Sequence, residues 1–409
     1  MGCPRNLVDS ESILGSLAAK GYKIVDIQDA DIGLVNTCSF IDEAKKESVD
    51  AILDLVELKK EGRLKKIIVA GCLSQRYKAE LLSNLPEVDA LVGRLEFEPE
   101  SGASKQYSLT AKHTGYLKIS EGCNHSCSFC IIPKIKGRLT SRAIESIVEE
   151  VKRLDKEKKA EINIIGQDIS MYGWDIDKKL GLSSLLGKIT GGLNNIRWLR
   201  LLYLHPENLT PDLIRRIADE PKICKYVDLP LQHINQRILK AMRRPADKNK
   251  IIRVLSDLRE KIPGVAIRTS LIVGFPGETN QEFEELVSLV KEQRFERLGV
   301  FRYSREDGTA AYNYPDQVPE KVKQERFDLI MREQKVISEE INQGFLGKTL
   351  EVLIDEQESE GNYIGRLSLD APEVDQAVSV KSKKPLSIGS FIKAKIMDTY
   401  EYDLAAEAV

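Results

Sequence analysis

Three cysteines in Glu121-Gly122-Cys123-Asn124-His125-Ser126-Cys127-Ser128-Phe129-Cys130 follow the spacing C-x-x-x-C-x-x-C. Thiolates are soft ligands, and three on one short loop can hold three corners of an iron–sulfur cube. The loop has no fourth cysteine, so one iron of such a cube would carry no protein ligand and would be open to a small molecule. The alternatives are a three-ligand zinc site or three buried thiols. Structural zinc sites are closed by four ligands, and His125, between the first two cysteines, is poorly placed to complete a tetrahedron.

Three further cysteines lie upstream. Cys3 stands in Met1-Gly2-Cys3-Pro4-Arg5-Asn6, Cys38 in Asn36-Thr37-Cys38 and Cys72 in Ala70-Gly71-Cys72. Apolar runs over 32–36 and 66–70 read as buried strands leading into Cys38 and Cys72. Both thiols therefore fall just past a strand C-terminus, the end at which open α/β sheets bind ligands. Three cysteines in small-residue turns could meet over one sheet edge. The alternative is three unrelated core thiols, free cysteine being among the most buried residue types. Cys224, just before a buried strand, reads as core.

The 121–130 loop resembles the signature of the radical S-adenosylmethionine (SAM) enzymes. That resemblance implies an open iron chelating the amino and carboxylate groups of SAM, reductive cleavage of the sulfonium, and a 5′-deoxyadenosyl radical that takes hydrogen from an unactivated carbon. Gly-Cys-Pro-Arg-Asn, Asn-Thr-Cys and Ala-Gly-Cys ahead of such a loop resemble the methylthiotransferase family. The resemblance implies two 4Fe–4S clusters, one on Cys3, Cys38 and Cys72 and one on Cys123, Cys127 and Cys130, with SAM as both radical source and methyl donor. The stretch Asp370-Ala371-Pro372-Glu373-Val374-Asp375 is similar to the signature of one branch, as are Ile132-Pro133-Lys134-Ile135-Lys136-Gly137 and Leu229-Pro230-Leu231-Gln232-His233. That branch methylthiolates the β-carbon of an aspartate in the twelfth ribosomal protein of the small subunit. The branch that modifies an adenosine of tRNA differs at these places.

The elements that must hold these residues follow from periodicity. Strands alternating with helices imply α/β architecture. A Rossmann-like domain is expected over 1–100, with a helix on Leu7, Ile13, Leu14 and Leu17, a helix over 43–60 facing inward through Val49, Ile52, Leu53 and Val56, and short strands at 32–36, 66–70 and 88–92. A linker rich in Glu, Ser and Gly follows at 96–110. Six strand-like runs come next, at 115–119, 160–166, 197–203, 226–230, 266–274 and 297–301. Helical patterns at 144–157, 182–191, 210–219, 236–242, 247–261 and 280–293 accompany them. Six βα units over 109–343 suggest a partial (β/α)6 barrel, the fold the radical SAM resemblance implies, with its chemistry at the strand C-terminal ends. Alternation after a long charged helix predicts a small antiparallel β-barrel over 344–409, which resembles the TRAM domain.

Polar or glycine-rich residues follow several of the barrel strands. By resemblance, Gln167 and Asp168 mark where the SAM amino group binds, and Val273 and Gly274 where its adenine packs. Gln232, after the fourth strand, counts with them as a cofactor contact; His233 follows it, and His205 follows the third strand. Arg142 could hold a carboxylate bidentately, or lie solvated at the surface. Lys134, Lys136 and Arg138 read as a solvated or substrate-facing run.

The chain of 409 residues is 42% hydrophobic and 30% charged, which suits two or three globular domains. No apolar run approaches the ~20 residues of a membrane span, and no signal peptide precedes the first helix. Seven cysteines, six of them in two groups, argue against a disulfide framework and for reducing cytoplasm. Residues 345–409 hold seven Lys/Arg against twelve Asp/Glu, a net of about −5. That sign is wrong for phosphate contact. A basic small-subunit ribosomal protein, free or in the ribosome, fits better than tRNA, and the chemistry needs an electron donor. Members of the resembled family carry a strand before the first cysteine, where this chain has only Met1 and Gly2. The expectation is a longer natural chain, a frayed Cys3 and a free sheet edge on the first domain.

Overall fold

The computed structural model describes residues 2–94, 107–177 and 180–409. The expected linker therefore lies outside the described residues as far as residue 106.

The N-terminal unit runs α1 (Pro4–Ala19), β1 (Ile32–Thr37), α2 (Asp42–Lys60), β2 (Lys66–Gly71), α3 (Cys72–Arg76), α4 (Lys78–Asn84) and β3 (Ala90–Val92). Its strands form a parallel sheet in the order β1-β2-β3. Ile52, Leu55 and Val56 of α2 pack on Val35, Ile67 and Val69. Leu55 takes the place expected of Leu53, which is exposed.

α1 departs from the expected apolar stripe. Its buried residues are Asn6, Val8, Asp9, Glu11 and Gly15, because what it meets is polar. Asn36 donates to the Asn6 carbonyl at 2.9 Å, and Glu11 accepts the Leu109 and Thr110 amides at 2.8 and 3.3 Å. Asp9 binds two lysines of the next unit, Lys118 and Lys136.

That unit contains β4 (Thr114–Lys118), β5 (Ser120–Glu121), α5 (Ile132–Lys136), β6 (Thr140–Ser141), α6 (Ile144–Lys156), β7 (Glu161–Ile165), α7 (Leu182–Ile189), β8 (Trp198–Leu201), α8 (Pro211–Asp219), β9 (Ile223–Asp228), α9 (Gln236–Ala241), α10 (Lys248–Lys261), β10 (Ala266–Val273), α11 (Asn280–Gln293), β11 (Arg297–Arg302) and α12 (Glu320–Gln343). All six expected strands are present and pair in parallel as β4-β7-β8-β9-β10-β11, a barrel left open between β4 and β11. Thr210, Asp247 and Thr279 cap α8, α10 and α11 with their side chains. Each cap contributes about 1 kcal/mol. The strands alternate. Ile162, Ile164, Leu199, Val227, Ile267, Leu271 and Val273 join the apolar layer under the helices. Glu161, Arg200, Tyr226, Arg268 and Ser270 occupy the opposite parity and fill the interior.

The C-terminal unit is a closed barrel of β12 (Thr349–Ser359), β13 (Asn362–Arg366), β14 (Val378–Lys381), β15 (Phe391–Thr399) and β16 (Leu404–Ala408), in the order β12-β13-β14-β16-β15. Four contacts are antiparallel, and β14–β16 is parallel. A closed ring of five strands cannot alternate direction all the way round, so the purely antiparallel expectation needed one parallel seam.

This small barrel closes the N-terminal end of the large one. Phe391 meets Trp198 edge-on at 4.9 Å. Arg366 reaches Glu161 at 2.8 Å, and Glu161 also binds the fully buried Arg200 at 2.9 Å. Arg200 donates to the Ser368 carbonyl, Arg297 holds Asp370 through Nε at 2.7 Å, and Tyr226 donates to Asp375 at 2.6 Å. Asp375 also faces Arg268 at 3.3 Å and is nearly buried. The aspartates of the Asp370–Asp375 loop, counted in the acidic balance of 345–409, are thus pinned inside the protein.

Removing one partner of a buried ion pair costs about 3–5 kcal/mol, because the other charge is left uncompensated. Burial already lifts the Asp370 carboxyl to about 6, against Arg297. Arg297→Ala should lower the urea-unfolding free energy by about that amount, and Arg297→Ala/Asp370→Ala should recover much of it.

Candidate active site at the barrel mouth

The radical-type loop is fixed at both ends. β5 and β6 pair antiparallel across it. Gly122 between them has φ +77°, and a Cβ there would lie 2.1 Å from the Arg138 carbonyl oxygen. Ser128 donates through its amide to the Met242 carbonyl at 2.9 Å and through Oγ to the Ala241 carbonyl at 2.8 Å. The Ala311 amide donates to the Ser128 carbonyl at 2.8 Å. His125 bonds Asp168 at 2.7 Å and stacks on His205 with centroids 4.3 Å apart.

The upstream cysteines converge from the other side. Cys72 opens α3 after Gly71, whose φ of +95° and close approach to Asn36 and Thr37 exclude a side chain. The Cys38 amide donates to Ser48 Oγ at 2.9 Å, and that hydroxyl donates back to the Cys38 carbonyl at 2.9 Å. Cys3 is the N-cap of α1, its carbonyl accepting the Asn6 and Leu7 amides. A Cβ on Gly2 would stand 3.0 Å from Cys38 Cβ, so the Cys3 turn lies over Cys38. Arg5 donates to Cys3 Sγ at 3.4 Å and to the Gly166 carbonyl at 3.3 Å, and its guanidinium lies over the Tyr203 ring. The expectation of a frayed Cys3 is therefore corrected: a helix start and an arginine strap hold it without a preceding strand. β1 has no strand on its outer side among the described residues.

A cavity of about 710 Å³ runs between the units, bordered by Cys3, Cys123, Cys127 and Cys130. Phe40, Phe301 and Val374, one from each unit, are exposed apolar residues in its lining. Cys72 packs behind it against Ile131 and Ile135, so the two cysteine sets share a wall. Burial pushes the Cys72 and Cys130 thiols up to about 12 and Cys123 to about 11. Cys3 goes the other way: burial opposes its ionisation, but the adjacent Arg5 guanidinium and local hydrogen bonds together bring the thiol below its ordinary value.

All seven cysteines are free. Among the described residues no three His, Cys, Asp or Glu side chains converge as a single ion requires. A lone zinc needs its sulfurs at about 2.3 Å. A cube takes one thiolate on each of separate irons, so its ligands stand apart. Three thiols on one loop with no fourth protein ligand fit a cluster with one open iron better than a closed zinc site.

Of the expected cofactor contacts, Gln167, Asp168 and Gln232 border the cavity. Arg142 does not: its guanidinium bonds Glu150 at 2.6 Å, the Lys118 carbonyl at 3.0 Å and Ser146 Oγ at 2.9 Å. The cavity takes Arg268, Ser270 and Ile272 of β10, so Val273, of the other parity, faces away, and Gly274, past the end of the strand, lies against Lys323 instead. Reading 266–273 with period two would have picked those three. His233 is buried elsewhere, its ring pushed down to about 3 by burial. His205 and Tyr303, both cavity-lining, carry a buried ring Nε2 and a buried hydroxyl that have no partner among the described residues, and the same holds for Gln167 Oε1. Unpaired polar atoms at one cavity suit a polar ligand. Lys136, read as part of a solvated run, is buried between Asp9 at 2.9 Å and Glu121 at 3.1 Å.

In metal-free protein Cys3 should alkylate at lower pH than Cys72, Cys123 or Cys130, because thiolate is the nucleophile. Arg5→Ala should move the Cys3 profile upward to join the others. Iodoacetamide labelling read by peptide mass spectrometry would show it, and an unchanged Cys3 profile would discount the guanidinium.

Family descriptions match the chain in three segments: Uncharacterized protein family UPF0004 over 1–93, Radical SAM superfamily over 117–290 and TRAM domain over 346–409. The chain is 42% identical over 433 residues to the ribosomal protein uS12 methylthiotransferase RimO of Clostridioides difficile, spanning 100% of this chain and 97% of that one. Identity to the protein of the same name from Thermoanaerobacter sp. is 45% over 431 residues, spanning 100% and 98%. Among solved structures, the radical S-adenosylmethionine methyltransferase TsrM from Kitasatospora setae, with cobalamin and a [4Fe-4S] cluster bound, matches with a TM-score of 0.58 at 14% identity, over 75% of this chain and 74% of that one. That likeness is one of fold.

Proposed function

The chain belongs to the RimO family of ribosomal protein uS12 methylthiotransferases, and we propose that it places a methylthio group on the β-carbon of an aspartate of uS12. In this reading Cys123, Cys127 and Cys130 hold one 4Fe–4S cluster and Cys3, Cys38 and Cys72 a second. The observation that supports it best is that Cys3, from the N-terminal unit, borders the same cavity as the three loop cysteines. Sulfur held on one side and a radical formed on the other would then reach one substrate carbon.

The bound clusters and SAM would supply reductive sulfonium cleavage, hydrogen abstraction and sulfur transfer. The chain's own part is to position and to exclude water. Gln167, Asp168 and Gln232 are the proposed direct SAM contacts. Gln232 is held toward the cavity in a left-handed conformation at φ +72°, its amide and carbonyl bonded to Ser270 and Ile272. Asp168 aims His125 and, through the ring stack, His205. Arg142 and Gly274 serve as braces: one ties α6 to the end of β4, and the other's amide bonds Glu278 at 2.8 Å. Tyr116, Leu202 and Ile272 give the cavity apolar walls, which protect a reactive intermediate from solvent.

The substrate side is one of charge. Of the C-terminal acids, Asp355, Asp370 and Asp375 are committed to internal arginines. Glu356, Glu358 and Glu360 remain exposed toward the end of β12. They suit a basic ribosomal protein better than tRNA.

Two tests follow from the cysteine assignment. Cys127→Ala should abolish both 5′-deoxyadenosine formation and methylthiolation after anaerobic reconstitution. Cys3→Ala/Cys38→Ala/Cys72→Ala should hold about half the iron, still cleave SAM, and transfer no sulfur to uS12 as read by its intact mass. Methylthiolation by the triple variant would defeat the second-cluster role. A third test changes Glu356, Glu358 and Glu360 to Lys. Association with uS12 should slow several-fold, and more so at low salt. An unchanged rate, or tight tRNA binding by the wild type, would favour the tRNA branch.

A further inference from the structure

The cysteine loop has two open faces. Cys123, His125, Cys127 and Cys130 border the barrel cavity on one side and, on the other, an outward groove of about 1000 Å³. The charged residues of that groove are Lys134, Arg138, Arg243 and Asp175. Asp175 is occupied, accepting the Ser141 amide at 2.8 Å and the Ser141 hydroxyl at 2.6 Å. The three cations are exposed, and none is ion-paired among the described residues. Arg243 holds a left-handed backbone, φ +55°, just past the end of α9. The chain as a whole carries a net −2, so this patch is a local reversal of sign.

We propose that this groove docks an acidic one-electron carrier protein, which reduces the loop-bound cluster from outside the barrel. The proposal rests on the methylthiotransferase reading and adds the partner's docking face. The inner side of the loop belongs to SAM and substrate, within a cavity too small for a second protein. An electron needs only a short path, and the outer groove has the loop thiols themselves as its floor. Three uncompensated cations around that floor steer an acidic partner by complementary charge. They repel the basic uS12, which the acids of the C-terminal barrel attract. The two protein partners are thereby sorted to faces of opposite sign. In the transfer one electron leaves the carrier's reduced redox group and would be taken up by the oxidised cluster, with no bond made or broken.

The test compares reconstituted wild type with Lys134→Glu/Arg138→Glu/Arg243→Glu. The probe is an acidic FMN protein of the flavodoxin fold, used oxidised for binding titrations and as hydroquinone for stopped-flow bleaching of the cluster. The variant should bind about tenfold more weakly and be reduced about tenfold more slowly at low salt, with the difference shrinking as salt screens it. The corresponding triple Gln variant should fall between the two. With dithionite as reductant, SAM cleavage and methylthiolation of free uS12 should match wild type, which also reports an intact fold. Equal binding and reduction in the Glu variant would overturn the groove. So would a variant that binds the carrier normally but fails only on assembled small subunits, since the groove would then face ribosomal RNA. A wild type that is reduced through the groove yet makes no methylthio product with either reductant would instead overturn the functional reading and leave the docking face standing.

Discussion

Two sets of thiols from separate parts of a chain can act on one carbon only if the separation between them is fixed, and here an ionic contact fixes it. Asp9 of α1 receives Lys118 from the end of β4 and Lys136 from α5, while Glu121 neutralises the same two lysines. Two anions and two cations alternate, so no buried charge lacks a partner. Glu121 lies two residues before Cys123, and Lys136 six after Cys130. The network thus grips the radical-type loop at both flanks and α1, which begins at Cys3, at the same time. Burying such charges is costly, and its return is geometric uniqueness more than stability. A second contact repeats the logic on the far side, where Glu306 and Asp307 beyond β11 take Lys45, Arg76 and Tyr77 of the N-terminal unit.

The barrel floor shows the same economy. Its interior is a column of alternating charge, from Arg366, Glu161 and Arg200 to Arg297 and Asp370 and then Arg268, Asp228 and Asp375. A wider apolar core would need long side chains to fill it. Two strands of the small barrel and one loop supply the missing volume, and arginines long enough to reach them supply the contacts. Pro372 and Val374 then form part of the cavity lining, so a motif far along the chain shapes the place where substrate would sit.

Much of this was legible in the sequence because the signals are local. Cysteine spacing, strand-to-turn placement and helix periodicity need no knowledge of neighbours, and every strand of the large barrel was found that way. What sequence missed depends on partners distant in the chain. Lys136 looks solvated until Asp9 is placed against it, and α1 looks like an apolar helix until its polar side meets charged elements. Arg142 has the chemistry to clamp a ligand carboxylate, but Glu150, eight residues on, takes it first. Val273 lies on the other parity from Ser270 and Ile272, which the strand presents inward, and Gly274 beyond the strand end is covered by Lys323, a partner far along the chain. Asp375 counts in the sequence only toward the acidic balance of 345–409, and the arginines of β10 and β11 draw it and its loop inward.

The barrel's missing strands have a consequence of their own. A ring of eight closed strands would have to furnish its cavity from its own strands and loops. Here the wall stops at β4 and β11, and the N-terminal unit stands across the gap, with Asp9 on Lys118 at the end of β4, Glu43 near Arg302 at the end of β11, and Lys45 and Arg76 on Glu306 just beyond it. The unfilled seat is what lets Cys3, from another unit, border the same cavity as the loop cysteines. An incomplete wall works here as a socket, and closing it with two more strands would evict the neighbour.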